Sequence, residues 1–383
     1  MNKTIALTLL ALFALTPAYA AERTFPTTVT KQDIQEKYLW AGQGGEKVKV
    51  LVMPGHEPFY GGAENNGLRE RDIVVSISDA LATELKKDPR LEVTVARDTL
   101  AWNPELADYF ETEWKDIQKF VKEKKRAMQR AMRTGDLEDR SFEVAHNTAA
   151  TDVALRLYGI NKWAAEEGYD IVIHPHLNDN VGATNHSGFA VYIPDAQFGN
   201  AEASRPLGEA IAAELNAFNA SSTLPIENYA VVEDQDLIAL GSYNTADFAV
   251  ALIEYAYIYE SKIEHPEARG QVLADMARQT SLGIEKYLGG APTRSNTVAL
   301  PHTWELSSMP LQESSPQTYA LQVALHKLGF YPPAGELLIG CPISGYMGEC
   351  TARALKAFQA SKGLEQTGTI GPRTKAALEA AGF

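Results

Sequence analysis

Apolar and polar positions alternate from Lys47 to Met53 and break at Pro54-Gly55, the pattern of a strand feeding a loop. From Leu68 the period changes. Ile73, Ile77, Ala80, Leu81 and Leu85 recur at helical spacing, and Lys86 and Lys87 follow where the negative end of a helix favours cations. Glu92 to Ala96 reads as a second strand, and strand, helix, strand predicts an α/β domain. A charged stretch at 103–147, carrying Lys119, Lys122, Lys124, Lys125, Arg126, Arg130 and Arg133, interrupts this rhythm. It is expected to form a solvated helical hairpin, with a functional lid as the competing reading. The rhythm resumes with a helix over Thr151–Glu167, strands at Asp170–Ile173 and Phe189–Ile193, an apolar run from Ala249 into Glu254, and a closing helix over Glu267–Tyr287.

Beyond this domain, 289–316 has the Gly, Pro, Ser and Thr content of a linker. A second, smaller domain is expected over 317–383. The pattern Gly-x-x-Thr-x-x-Ala-Leu occurs twice in it, at Gly348 and Gly371, each reading as a helix start. With the amphipathic segment Tyr319–Leu328 these give three short helices. Residues 21–46 read as a polar leader. Residues 1–20 have Lys3, an apolar stretch from Ile5 to Leu15 and a small-x-small end at Ala18-Tyr19-Ala20, the plan of an export signal and too short for a membrane span. The catalytic unit is thus expected over 47–288.

Charge and cysteines narrow the function. The chain has 35 Lys and Arg against 49 Asp and Glu, a net −14. Loss of the segment holding Lys3 makes it one unit more negative. This balance argues against nucleic acid as a partner, since phosphates need a basic surface. No later stretch is apolar enough for stable membrane insertion. The two cysteines, Cys341 and Cys350, lie close together, and in an exported chain such a pair predicts a local disulfide.

Candidate chemistry sits at the ends of the strands. Glu254 closes the run Val250-Ala251-Leu252-Ile253, where an unpaired carboxylate is costly, so a charged partner is expected. A metal would serve. His56 follows the Pro54-Gly55 turn and Glu70 lies in the first turn of the next helix, a spacing that lets both reach one point. His174 and His176 are two apart on a strand and face the same side, and the pattern does not choose between them. Three nitrogen or oxygen donors with an open fourth position are what a catalytic zinc requires. Arg97 would orient substrate or pair with Asp98 or another surface carboxylate. Asn178 would order the loop carrying His176.

The segments Val52-Met53-Pro54-Gly55-His56, Gly67-Leu68-Arg69-Glu70-Arg71-Asp72, Val93-Thr94-Val95-Ala96-Arg97, Asp170 to Asn178 and Leu252-Ile253-Glu254 resemble, in this order, the zinc-dependent N-acetylmuramoyl-L-alanine amidases of the amidase 3 family. The resemblance implies a mixed twisted sheet flanked by helices, of the phosphorylase/hydrolase-like kind. It also implies Zn2+ on His56, Glu70 and His176, Glu254 as catalytic acid and base, and His174 where the family carries Ser. Two departures stand out: His56 is followed by Glu57-Pro58 instead of Gly-Gly, and the 103–147 segment exceeds that of a minimal member. Residues from Leu321-Gln322 through Thr367-Gly368 resemble a three-helix peptidoglycan-binding module. Together the resemblances imply a wall amidase, periplasmic or extracellular, with peptidoglycan as substrate and anchor. From its length and helical character alone, the 103–147 insertion is expected to cover the zinc cleft and restrain activity until a regulatory partner removes it. Competing expectations are another zinc hydrolase of the wall, a peptidase or N-deacetylase, and a non-catalytic wall-binding protein.

Overall fold

The computed structural model describes residues 25–141, 149–179, 185–227, 229–291, 294–305 and 312–383. The expected export signal lies outside them, as do residues 142–147 of the expected insertion. The elements are α1 (Lys31–Ala41), β1 (Val48–Val52), β2 (Glu64–Asn65), β3 (Leu68–Arg69), α2 (Glu70–Leu85), β4 (Leu91–Val95), α3 (Pro104–Thr112), α4 (Trp114–Thr134), α5 (Thr151–Glu166), β5 (Ile171–Asn178), β6 (Ala190–Pro194), α6 (Ala201–Leu215), β7 (Val231–Asp234), β8 (Ala249–Tyr257), α7 (Ser261–Glu264), α8 (Pro266–Tyr287), α9 (Pro316–Lys327), α10 (Glu349–Ser361) and α11 (Pro372–Ala380).

Six strands form one sheet in the order β4-β1-β5-β8-β6-β7, parallel throughout except where β6 runs against β8. The central strands β5 and β8 are buried on both faces, which is why they read as continuous apolar runs. Helices α2, α6 and α8 pack together on one face and α5 lies over the other. This is the mixed α/β sheet flanked by helices that the sequence predicts.

Three regions differ from expectation. The polar leader holds α1, started by a reciprocal cap between Thr30 and Asp33 and fixed by the buried Ile34 and Tyr38. Helix α6, which contains Pro206, and strand β7 had no clear periodicity in the sequence. The linker-like segment is packed. Asp275 of α8, fully buried, accepts hydrogen bonds from Thr297 Oγ1 (2.6 Å), the Val298 amide and Tyr319 Oη (3.0 Å), tying that segment and α9 to the sheet domain. His326 Nε2 of α9 also meets the Ala217 carbonyl oxygen at 2.9 Å. The three C-terminal helices therefore share one continuous apolar core with the larger domain. Cys341 and Cys350 form the expected disulfide. Among the described residues no helix is long and apolar enough to cross a membrane.

Candidate metal centre

The C-terminal ends of parallel strands converge on one cavity of about 400 Å³, the usual position for ligands in open α/β sheets. His56 sits just past β1, Glu70 opens α2, His176 lies on β5, and Glu254 pairs in register with His176 across to β8. All four line the cavity, as does His174.

Glu70 is held from several sides. Its Oε2 accepts the Ala63 amide (2.8 Å) and its Oε1 the Leu177 amide (3.0 Å), while His176 Nδ1 lies 3.0 Å from Oε1 and His56 Nε2 lies 2.8 Å from Oε2. Burial pushes this carboxyl up, but the two imidazoles beside it and their hydrogen bonds outweigh that and hold it well below the usual carboxylate range. His176 is shifted down by burial, partly offset by Glu70. His176 is thereby biased toward the neutral imidazole, a donor that suits a cation beside the Glu70 carboxylate.

Local backbone makes this convergence possible. His56 has φ 68°, a left-handed conformation that is uncommon for a side chain larger than Asn, and it aims the ring back at Glu70. A Cβ on Gly55 would lie 2.4 Å from the His176 ring, so the Pro-Gly turn must lack a side chain there. Arg97 is buried behind the turn and donates to the carbonyls of Pro54, Gly55, Arg71 and Asp98. The expected substrate contact or pairing with a carboxylate is replaced by a strut that fixes the loop carrying His56. Burial lowers its guanidinium to about 10, against the raising effect of nearby carboxylates.

One donor atom from each of His56, Glu70 and His176 fits within 4.8 Å of the others, and theirs is the metal-capable group found among the described residues. His174 is not part of it. The His56 Nε2 atom, although close to Glu70, makes no aligned hydrogen bond and is buried, which leaves its lone pair for another acceptor-seeking partner. Such a donor set suits zinc.

Beside it, Glu254 Oε2 and His174 Nε2 are buried with no hydrogen-bond partner. Burial first, then Glu70 and Glu227, push the Glu254 carboxyl well above its ordinary value. Burial, followed by His176, lowers His174 to about 3. Glu227 was not anticipated. It follows Leu224-Pro225-Ile226 in a stretch without apolar periodicity, so nothing in the pattern marks it as buried. It accepts from Asn178 Nδ2 (2.7 Å), Tyr192 Oη (2.7 Å) and Tyr257 Oη (3.0 Å). Asn178 thus orders the end of β5 as expected, by way of Glu227.

The sheet domain thus presents a His-Glu-His cluster, its glutamate buried, beside a second buried carboxyl with an unpartnered oxygen, a donor set able to hold a divalent cation. Residues 314–378 match the family described as "Putative peptidoglycan binding domain". Over 99 residues the chain is 39% identical to a "Probable N-acetylmuramoyl-L-alanine amidase" of Bacillus licheniformis, a match covering 26% of this chain and 27% of that protein. The chain therefore spans about a quarter of the length of the curated relative it matches. Similar solved structures include the N-acetylmuramyl-L-alanine amidase Ami1 of Mycobacterium smegmatis (TM-score 0.44, 13% identity, 64% of this chain and 98% of that one). Another is the N-acetylmuramoyl-L-alanine amidase of Clostridium difficile 630 (TM-score 0.40, 16% identity, 65% and 100%).

Proposed function

We propose that this protein is a metal-dependent N-acetylmuramoyl-L-alanine amidase, cutting the amide between the lactyl group of N-acetylmuramic acid and the L-alanine of the stem peptide. The observation that carries the reading is the meeting, in one cavity, of His56, Glu70 and His176 with the Glu254 carboxyl, whose buried Oε2 has no hydrogen-bond partner. The peptidoglycan-binding match over 314–378 supplies the substrate class and the anchor to the wall. Export to the periplasm or cell exterior belongs to the same reading.

His56, Glu70 and His176 would hold Zn2+, which when bound polarises the amide carbonyl and acidifies a water molecule. Glu254 takes the proton of the attacking water on Oε2 and delivers it to the departing amine nitrogen. Its apolar strand surroundings exclude bulk water, and the neighbouring carboxylates raise its proton affinity, which suits a group that must pick up a proton and give it away. Glu227 and Asn178 keep the end of β5, and with it His176, in place.

The test is digestion of purified peptidoglycan with product analysis. Free stem peptides beginning with L-alanine and intact glycan chains are expected. Cleavage inside the stem or loss of N-acetyl groups would assign the site to a peptidase or deacetylase instead, and no product at all would leave a wall-binding protein. The regulatory partner proposed for the insertion would meet α4, whose exposed Lys119, Lys122, Arg126, Arg130 and Arg133 form one basic face. Among the described residues, no side chain of α3 or α4 lines the metal cavity, so control exerted through these two helices would act at a distance.

A further inference from the structure

The loop after His56 carries an aromatic pair that the metal centre does not use. Phe59 is 74% exposed and Tyr60 65% exposed, and Leu100, 68% exposed, stands with them at one rim. Large apolar side chains gathered at one exposed place call for a partner, whereas scattered ones do not. Behind them lies a second cavity of about 540 Å³, which shares Glu57, Tyr60, Trp102 and Arg156 with the metal cavity. The two spaces therefore adjoin.

The rim is built. The Glu57 amide donates to the Tyr60 carbonyl at 3.1 Å, closing the loop on itself. Gly61 and Gly62, both with positive φ, return the chain toward Glu70. Arg156 Nε donates to Glu57 Oε1 at 2.8 Å and its Nη2 to Asp152 Oδ2 at 2.9 Å. Trp102 is braced edge-on by Phe110, with ring centroids 5.5 Å apart.

Charge decides what such a space holds. Among the described residues Arg156 is the sole cation lining it, and it is already engaged by two carboxylates, so the free carboxylates of a stem peptide meet no unpaired cation among them. A neutral pyranose ring has a C–H face for aromatic side chains and hydroxyls for Glu57 and Asp152. We propose that the Phe59, Tyr60, Leu100 and Trp102 rim is a saccharide subsite that takes the β-1,4-linked N-acetylhexosamine next to the muramic acid whose amide is cut. This rests on the amidase reading for its place along the substrate.

Two measurements on the full-length protein test it. In titrations with the β-1,4-linked N-acetylglucosamine tetramer, the Phe59→Ala/Tyr60→Ala variant should bind about tenfold more weakly than wild type, as expected for two lost aromatic contacts. Both side chains are exposed, so the variant's melting temperature should stay at the wild-type value. Leu100→Asn should weaken binding in the same direction. In cleavage assays, wild type should favour a disaccharide-peptide over the matching monosaccharide-peptide in kcat/KM, and the double variant should lose about tenfold of that preference. No tetramer binding by wild type, or equal binding by the double variant, overturns the subsite, including the case in which the rim holds an apolar peptide. A preference that survives the double substitution overturns it as well. Rim-dependent tetramer binding in a protein that cleaves no muropeptide would uphold the subsite and sink the amidase reading alone.

Discussion

Two carboxylates lie buried side by side under the cavity floor, and they are treated differently. Glu227 is fully buried and receives three hydrogen bonds, from Asn178, Tyr192 and Tyr257. Glu254 is 3% exposed, and one of its oxygens receives none. Burial is therefore common to both and says little about role. Unmet hydrogen-bonding capacity separates them: Glu227 is saturated by its neighbours, whereas Glu254 lines the cavity with an oxygen open to another partner.

The largest expected effect comes from removing the proton-carrying ability of Glu254. Glu254→Gln should lower peptidoglycan cleavage by about a thousandfold while leaving folding stability equal or higher, since the cost of burying an ionisable carboxyl disappears. Stem-peptide release and denaturant melts on the same preparation measure both. Activity within about tenfold of wild type would remove Glu254 from the proton transfer.

The opposite split is expected for Glu227→Ala. Three buried donors lose their acceptor, so the variant should be destabilised by about 3 kcal/mol in urea unfolding, with a smaller fall in cleavage than Glu254→Gln shows. A stable but inactive Glu227 variant would reverse the two assignments.

Acidity sharpens the contrast further. In metal-free protein the raised Glu254 carboxyl keeps its proton on folding while the unfolded chain loses it above the ordinary range. Stability from this group therefore falls as pH rises from that range toward the folded value. Glutamine does not titrate, so the stability advantage of Glu254→Gln over wild type should grow as pH rises above the ordinary glutamate range, by about 1 kcal/mol per pH unit. A flat or shrinking difference across that window would contradict the environment described for Glu254.

The smallest effect is expected for a single donor. Tyr192→Phe leaves Glu227 with two of its three partners and should cost about 1 kcal/mol in the same unfolding experiment. A loss as large as that of Glu227→Ala would mean that the three hydrogen bonds act as one unit.

The same contrast explains what the sequence could and could not convey. Glu254 was legible because it ends a run of apolar residues, where its charge is an anomaly visible without structure. His56, Glu70 and His176 were legible because each stands at the end of a strand or the start of a helix, and these ends meet in an α/β sheet. Glu227 was silent, since its burial depends on Asn178, Tyr192 and Tyr257 arriving from distant strands. Arg97 was misjudged for a similar reason: its partners are main-chain carbonyls, which carry no residue signature. In the fold, α2, β1, β5, β8 and α8 followed from periodicity. Helix α6 was hidden by Pro206 and by its many alanines, and α1 by a polar composition relieved only by Ile34 and Tyr38 on its buried side. The packing of 297–299 and α9 onto Asp275 is likewise a tertiary effect that linker-like composition conceals.

The central claim is that three side chains from separate elements share one divalent ion next to Glu254. Anomalous diffraction at the zinc edge, from crystals of the full-length protein soaked in zinc, tests it most directly. One peak is predicted at about 2.0–2.2 Å from a donor atom of each of His56, Glu70 and His176, with Glu254 facing it across the cavity. A crystal soaked to saturation that shows no peak there, or shows the ion on other residues, would contradict the account.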